Sequence, residues 1–190
     1  MKEIEIRGLC KRFGEKELFR DYDLTLEKGG IYGLTAPSGR GKTTLLRILL
    51  GLLPADAGTI PSEVRYSAVF QTDRLLPKRN AVEQLLFVRG GKRDRGECAA
   101  FLAELLPKES LEQPVEELSG GMQRRVAIAR ALWAESDCVL MDEPFAGLDE
   151  ETLHRTAEFI LAHQRGRTLL LSTHQKELLE EYPIEWLSLD

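Results

Sequence analysis

The sequence predicts an α/β fold in which a mainly parallel sheet is flanked by helices. An antiparallel β part stands at the N-terminal end and a small helical lobe is inserted in the middle. Three observations carry this prediction. Short apolar runs, Ile31–Thr35 (IYGLT), Cys138–Met141 (CVLM) and Leu169–Ser172 (LLLS), alternate with helix-length segments, the pattern of strands buried on both faces. A Gly-rich loop joins the first run to Lys42–Leu50, a helix with apolar residues on every side, as packing against a sheet requires. Near the N-terminus the pattern is strict alternation instead, which marks half-buried strands.

That alternation sets Ile4 and Ile6 between Glu3, Glu5 and Arg7, and it recurs over Phe19–Leu26 (FRDYDLTL). Lys28-Gly29-Gly30 is a turn. Val64–Phe70 reads as a further strand. From Thr72 to Glu117 the chain becomes charged, with helical patterns at Ala81–Val88 and Glu97–Leu106 around a Gly90-Gly91 break. The expected organisation is one domain over 1–190, with a core of 1–71 and 118–190 and a lobe of 72–117. Ser119–Ala134 and Glu150–Gln164 are helices, the second amphipathic. The sixteen residues after His174 suffice for a helix and a final strand, so no appended regulatory domain is expected.

With 190 residues the chain can bury a real core, and a 43% apolar composition excludes global disorder. The formal charge of −5 is opposite in sign to that of a strongly basic nucleic-acid binder. No stretch approaches the roughly 20 apolar residues of a membrane span, and MKEIEIRG carries no apolar signal core. Cys10, Cys98 and Cys138 are odd in number and widely spaced, so neither a disulfide framework nor a CxxC metal site is present, and a reducing cytosol is the default.

The loop itself reads Ala36-Pro37-Ser38-Gly39-Arg40-Gly41-Lys42-Thr43-Thr44 between strand and helix, the context of a P-loop and hence of a P-loop NTPase core. Small residues let backbone N–H groups point at phosphate oxygens, and the helix N-terminus adds its positive end. Lys42 is placed to bridge the β- and γ-phosphates, and the Thr43 hydroxyl to bind Mg²⁺. Ala36 replaces the first glycine of the pattern, at a cost of about 1–2 kcal/mol if the position needs a positive φ.

Two further constellations follow. Leu118-Ser119-Gly120-Gly121-Met122-Gln123 opens a helix, with Ser119 as N-cap and two glycines that admit a ligand close to the backbone. Cys138–Pro144 (CVLMDEP) is an apolar strand that ends in Asp142 and Glu143, followed at once by Ala146-Gly147-Leu148-Asp149. Asp142 there can hold Mg²⁺ while Glu143 faces the γ-phosphate. His174 ends the LLLS strand beside the same phosphate site.

Together these motifs resemble the nucleotide-binding subunits of ABC (ATP-binding cassette) transporters over nearly the whole chain. LSGGMQ matches the family signature, APSGRGKT its Walker A, CVLMDE its Walker B and AGLD its D-loop. His174 falls on the switch histidine, Gln71 in VFQTDRLLP on the Q-loop glutamine, and Phe13 in KRFGEKE on the aromatic that stacks on adenine. The resemblance implies an ATPase that binds ATP and Mg²⁺ in a head-to-tail homodimer or with a paired nucleotide-binding subunit. Each ATP would touch the P-loop of one chain and Ser119, Gly120, Gly121 and Gln123 of the other. Thr43, Gln71 and Asp142 would hold the metal. Glu143 would orient or deprotonate the attacking water, with His174 and Lys42 at the γ-phosphate, and Asp149 would communicate across the pair.

The resemblance further implies integral membrane permease subunits as partners, no direct contact with nucleic acid, and a cytoplasmic chain peripheral on the inner face of the cell membrane. VFQTDRLLP followed by KRNAVEQL is similar to importer subunits of the nitrate, sulfonate and taurine type, except that Lys78 stands where those carry an aromatic. Import, with a solute-binding protein, is therefore expected. Phe87 and Leu75-Leu76-Pro77 are candidate docking residues for the membrane partner, or else packing within the lobe. The alternative is a soluble ABC-type ATPase acting on DNA or ribosomes. The short interval from Lys42 to Ser119, without a heptad array, and the single cassette weigh against it.

Overall fold

The structure, a computed structural model, describes residues 3–88 and 94–189. It divides into two compact units. One comprises Met1–Tyr66, Ser136–Asp142 and Gly166–Asp190, the other Ser67–Glu135 and Glu143–Arg165.

In the first unit β1 (Ile4–Phe13) and β2 (Lys16–Leu26) pair antiparallel with Ile4 opposite Leu26 and Ile6 opposite Leu24. All four are buried, so the alternation seen in the sequence places one apolar face on the core. The three-residue strand β4 (Ala57–Thr59) completes this sheet in the order β2-β1-β4. Its residues are all exposed and do not alternate, so no periodicity announces it. The neighbouring Asp56 anchors it, accepting bonds from Lys11 Nζ and the Arg12 N–H, both at 2.7 Å.

The second sheet of this unit is parallel, as predicted. β3 (Ile31–Thr35), β6 (Cys138–Asp142), β7 (Thr168–Ser172) and β8 (Glu185–Ser188) lie in the order β6-β7-β3-β8. Every residue of β6 and β7 is buried, which is why they read as continuous apolar runs. The register sets Asp142 beside Ser172 and Ser172 beside Leu34, so the carboxyl ends of three strands are level. In open α/β sheets this edge is where ligands bind. From it the chain passes through the Gly-rich loop into α1 (Lys42–Leu49), which buries Leu45, Leu46, Ile48 and Leu49 and leaves Arg47 in solvent. Burial pushes the Cys138 thiol up to about 12, so it stays protonated and inert.

β5 (Tyr66–Val69) leads into the second unit and is shorter than the predicted Val64–Phe70. This unit holds α2 (Ala81–Val88), α3 (Arg95–Ala103), α4 (Gly120–Trp133) and α5 (Glu150–His163). Its core centres on Phe101, whose ring lies 4.8 Å from Trp133 and 5.0 Å from Phe159. His163 stands edge-on to Phe101 at 4.7 Å and bonds Glu104 at 2.7 Å. Helix α2 keeps its predicted bounds. Helix α3 starts two residues early and ends before Leu105 and Leu106, which are buried in a turn instead. The Gly90-Gly91 break lies outside the described residues. Leu76 and Phe87 are 44% and 57% exposed, and the Phe87 ring centroid lies 5.9 Å from the Arg79 guanidinium. Among the described residues no helix is long and apolar enough to cross a membrane.

Candidate active site

The phosphate loop is shaped by the strand behind it. Gly39 and Gly41 take left-handed φ values of 76° and 109°. A Cβ on Gly41 would stand 2.8 Å from Phe19 Cζ and 3.0 Å from Leu18 Cδ2, so β2 presses on the loop and only glycine fits. Ala36 is not among the left-handed residues, so alanine there carries no backbone cost. Its carbonyl accepts a bond from Lys42 Nζ at 2.6 Å. Lys42 is only 8% exposed, a cation turned back over its own loop. Pro37, Ser38, Gly39 and Arg40 are exposed, and the Arg40 N–H closes a turn on the Pro37 carbonyl. The first turn of α1, with Thr43 and Thr44 half-buried, contains no acidic side chain and no side-chain cap. Its N–H groups are therefore left to an anion. Sequence reasoning missed a second cation here: Lys16 Nζ donates to the Gly39 carbonyl at 3.1 Å.

At the level strand ends the Thr43 hydroxyl donates to the Asp142 carboxylate, 2.8 Å from Oδ2 and 3.1 Å from Oδ1. Ser172 Oγ donates to Oδ1 of the same carboxylate at 2.7 Å. Asp142 is 5% exposed, and a buried carboxylate needs such partners. A hydroxyl and a carboxylate at this separation are hard oxygen ligands and fit Mg²⁺. Among the described residues no group of three or more His, Cys, Asp or Glu side chains gathers. A Mg²⁺ held largely through nucleotide phosphates and water requires none. His174 is exposed just beyond the buried Thr173, and it lines an open pocket of about 320 Å³ with Thr35, Ala36, Pro37 and Lys176. The structure thus brings His174 to the start of the phosphate loop. Phe13 ends β1 49% exposed, with Lys11 Nζ 5.3 Å above its ring.

The second unit carries the remaining predicted residues. Glu143 is half-buried in a left-handed conformation, φ 51°, before the buried Pro144 and Phe145. Non-glycine residues adopt such geometry at a cost of order 1–3 kcal/mol, and it concentrates at functional sites. Ser119 caps α4, its Oγ accepting from the Met122 N–H at 3.3 Å. Ser119 and Gly120 are exposed. A Cβ on Gly121 would come within 3.2 Å of Leu148 Cδ2, so glycine lets the helix start lie against the turn that follows Glu143. Gln123 turns back, its Nε2 donating to the Leu118 carbonyl at 2.9 Å. Asp149 caps α5, accepting from the Thr152 N–H and hydroxyl, each at 2.9 Å. Those two bonds hold its carboxyl below the usual carboxylate range, the backbone bond contributing most. The Gln71 side chain is exposed, and its carbonyl is held by Arg124 at 2.6 Å.

Residues 19–146 match the sequence profile of the ABC transporter family. The chain is 38% identical over 174 residues to the aliphatic sulfonates import ATP-binding protein of Nocardia farcinica, across 90% of this chain and 71% of that protein. The chain belongs to the ABC transporter family. The cassette is an ATP-binding, ATP-hydrolysing subunit of that family. It is also 38% identical over 195 residues to the Nod factor export ATP-binding protein I of Burkholderia lata, covering 93% of the cassette but only 64% of that relative. Its structure superposes on a dimeric bacterial ABC transporter cassette with a TM-score of 0.82 at 25% identity, covering 98% of this chain and 94% of that one. Neither named relative supports the DNA- or ribosome-directed alternative. Besides Lys16, sequence reasoning missed Ser172 as the partner of Asp142.

Proposed function

We propose that the cassette works as one half of a head-to-tail pair, splits ATP with Mg²⁺, and drives solute import through separate integral membrane subunits. In this reading the amides of the Gly39–Thr43 turn hold the phosphates, Phe13 offers a stacking face to the base, and Lys42 leaves the Ala36 carbonyl to bridge the β- and γ-oxygens. Thr43, Asp142 and Gln71 would hold Mg²⁺, whose chemistry is to neutralise charge on the transferring phosphoryl group. Glu143 orients the attacking water and takes its proton. His174 donates to the γ-phosphate. Ser119, Gly120 and Gly121 of the second copy offer hydroxyl, N–H groups and the positive end of α4 to the same phosphate. Asp149 stands at the pair's seam.

The observation that carries this reading is the Thr43–Asp142–Ser172 cluster at the carboxyl edge of the parallel sheet, one residue from the lysine of the phosphate loop. In this reading the lobe expected over 72–117 passes on nucleotide state, and the exposed Leu76 and Phe87 suit docking to an apolar partner surface. The chain would then sit on the cytoplasmic face of the membrane, with a solute-binding protein on the other side. Export is the second reading, favoured by the similarity to a Nod factor export protein. The test is expression of a tagged chain in its native cell. Recovery with an integral membrane subunit, and loss of cargo uptake on Glu143→Gln, support import. Loss of efflux instead supports export. Recovery only as a soluble chain, with both fluxes intact, overturns transport.

A further inference from the structure

Helix α4 carries arginines whose place in the unit the chemistry above does not explain. Arg124 is 8% exposed. Its Nη1 donates to the Phe70 carbonyl at 2.7 Å, its Nη2 to the Gln71 carbonyl at 2.6 Å, and it pairs with the Asp73 carboxylate at 3.0 Å. Six residues along, Arg130 donates to the carbonyls of Asp73 and Arg74 at 3.0 and 2.9 Å. Four carbonyls within residues 70–74 are thus satisfied by guanidinium groups of one helix, in a stretch that belongs to no helix or strand. Arg74 takes a left-handed φ of 49° and stacks its guanidinium 3.8 Å from the Phe70 ring centroid. Burial raises the Asp73 carboxyl, against the lowering influence of Arg124 and Arg130.

The guanidinium is a rigid planar fork, so two bonds to consecutive carbonyls fix direction as well as distance. A lysine ammonium offers no such fork. Arg124 also lies one helical turn past Gly120, on the helix whose exposed N-terminus carries the signature. We propose that Arg124 is a positioning residue which ties the backbone at Gln71 to the signature helix, so that the Gln71 side chain and the Ser119–Gly121 turn shift as one body. The functional half of this inference rests on reading Gln71 as a Mg²⁺ ligand.

The test uses the full chain and two readouts. Amide exchange without nucleotide reports the clamp alone. In Arg124→Lys, residues 71–74 should exchange about ten-fold faster than in the wild type, while β6 is unchanged. Unchanged protection of 71–74 overturns the proposal. Steady-state kinetics with ATP and Mg²⁺ report the coupling. R124K should lower kcat about ten-fold with KM within about two-fold, and should cost less than about two-fold when added to Gln71→Ala, because it acts through that residue. Equal costs in both backgrounds overturn the coupling. Asp73→Asn leaves the fork on its carbonyls and should keep kcat within about two-fold. A D73N loss equal to that of R124K assigns the effect to charge and overturns positioning. Wild-type kcat in Q71A overturns the reading of Gln71 and the coupling with it, while the exchange result still decides the clamp.

Discussion

Glu143 holds a left-handed backbone, φ 51°, immediately after β6 ends. If Glu143 acts on water, Glu143→Gln removes the proton acceptor and keeps the shape. Hydrolysis should fall by about 10²–10⁴-fold while ATP affinity, measured by titration calorimetry, stays near wild type. Wild-type turnover in E143Q would remove Glu143 from the mechanism. Ser172 invites a different measurement. It donates to Asp142 Oδ1, and if Asp142 holds Mg²⁺ as proposed, partners that orient such a ligand typically affect metal affinity by about 10–100-fold. Ser172→Ala should therefore raise the Mg²⁺ concentration for half-maximal ATPase activity by that order, with little change in maximal rate. An unchanged Mg²⁺ requirement would reduce Ser172 to packing. Motif residues were legible because phosphate chemistry needs particular residue types at fixed spacing. Ser172 and Lys16 were not, because their roles arise from register and tertiary approach, which a linear motif does not encode.

Elements were legible where burial is one-sided or complete. β3 and α2 keep their predicted bounds; for β3 a short apolar run between the Lys28-Gly29-Gly30 turn and the Gly-rich loop admits few alternatives. β4 escaped because its pairing depends on Asp56 and not on its own side chains. The capped start of α5 yields a prediction at this scale. The Asp149 carboxyl lies below its usual range because the Thr152 N–H and hydroxyl stabilise the charged form. A lowered folded-state value means the cap's contribution is complete above the unfolded value of about 3.9 and fades as pH falls through the folded one. Asparagine caps without titrating. Thermal unfolding of wild type and Asp149→Asn should therefore coincide at pH 7 and diverge below about pH 4, where only the wild type loses the cap. Parallel curves down to acid would show that the cap does not titrate. A fall in kcat for D149N at an unchanged Tm would give Asp149 a role beyond capping.

For the whole molecule, the sequence points to import through the VFQTDRLLP and KRNAVEQL stretches, and the relatives do not separate the two directions. Relatives named for import and for export match at the same 38% identity. If the chain pairs head to tail as proposed, the start of α4 faces the second copy. Ser119 and Gly120 are exposed, and a Cβ at Gly120 meets nothing within 4 Å. A large side chain there leaves the single copy intact yet fills the space a second copy's nucleotide would enter. E143Q with ATP and Mg²⁺ should run as a dimer by light scattering, because hydrolysis no longer dissolves the pair, and should return to monomer in ADP. Adding Gly120→Phe should leave Tm within about 2 °C of the parent, since surface substitutions away from packed features stay within about 0.5 kcal/mol. It should also abolish the ATP-dependent dimer while ATP still binds. A double variant that dimerises as E143Q does would place the signature outside the interface. A chain that has lost ATP binding altogether would instead make Gly120 part of its own copy's site.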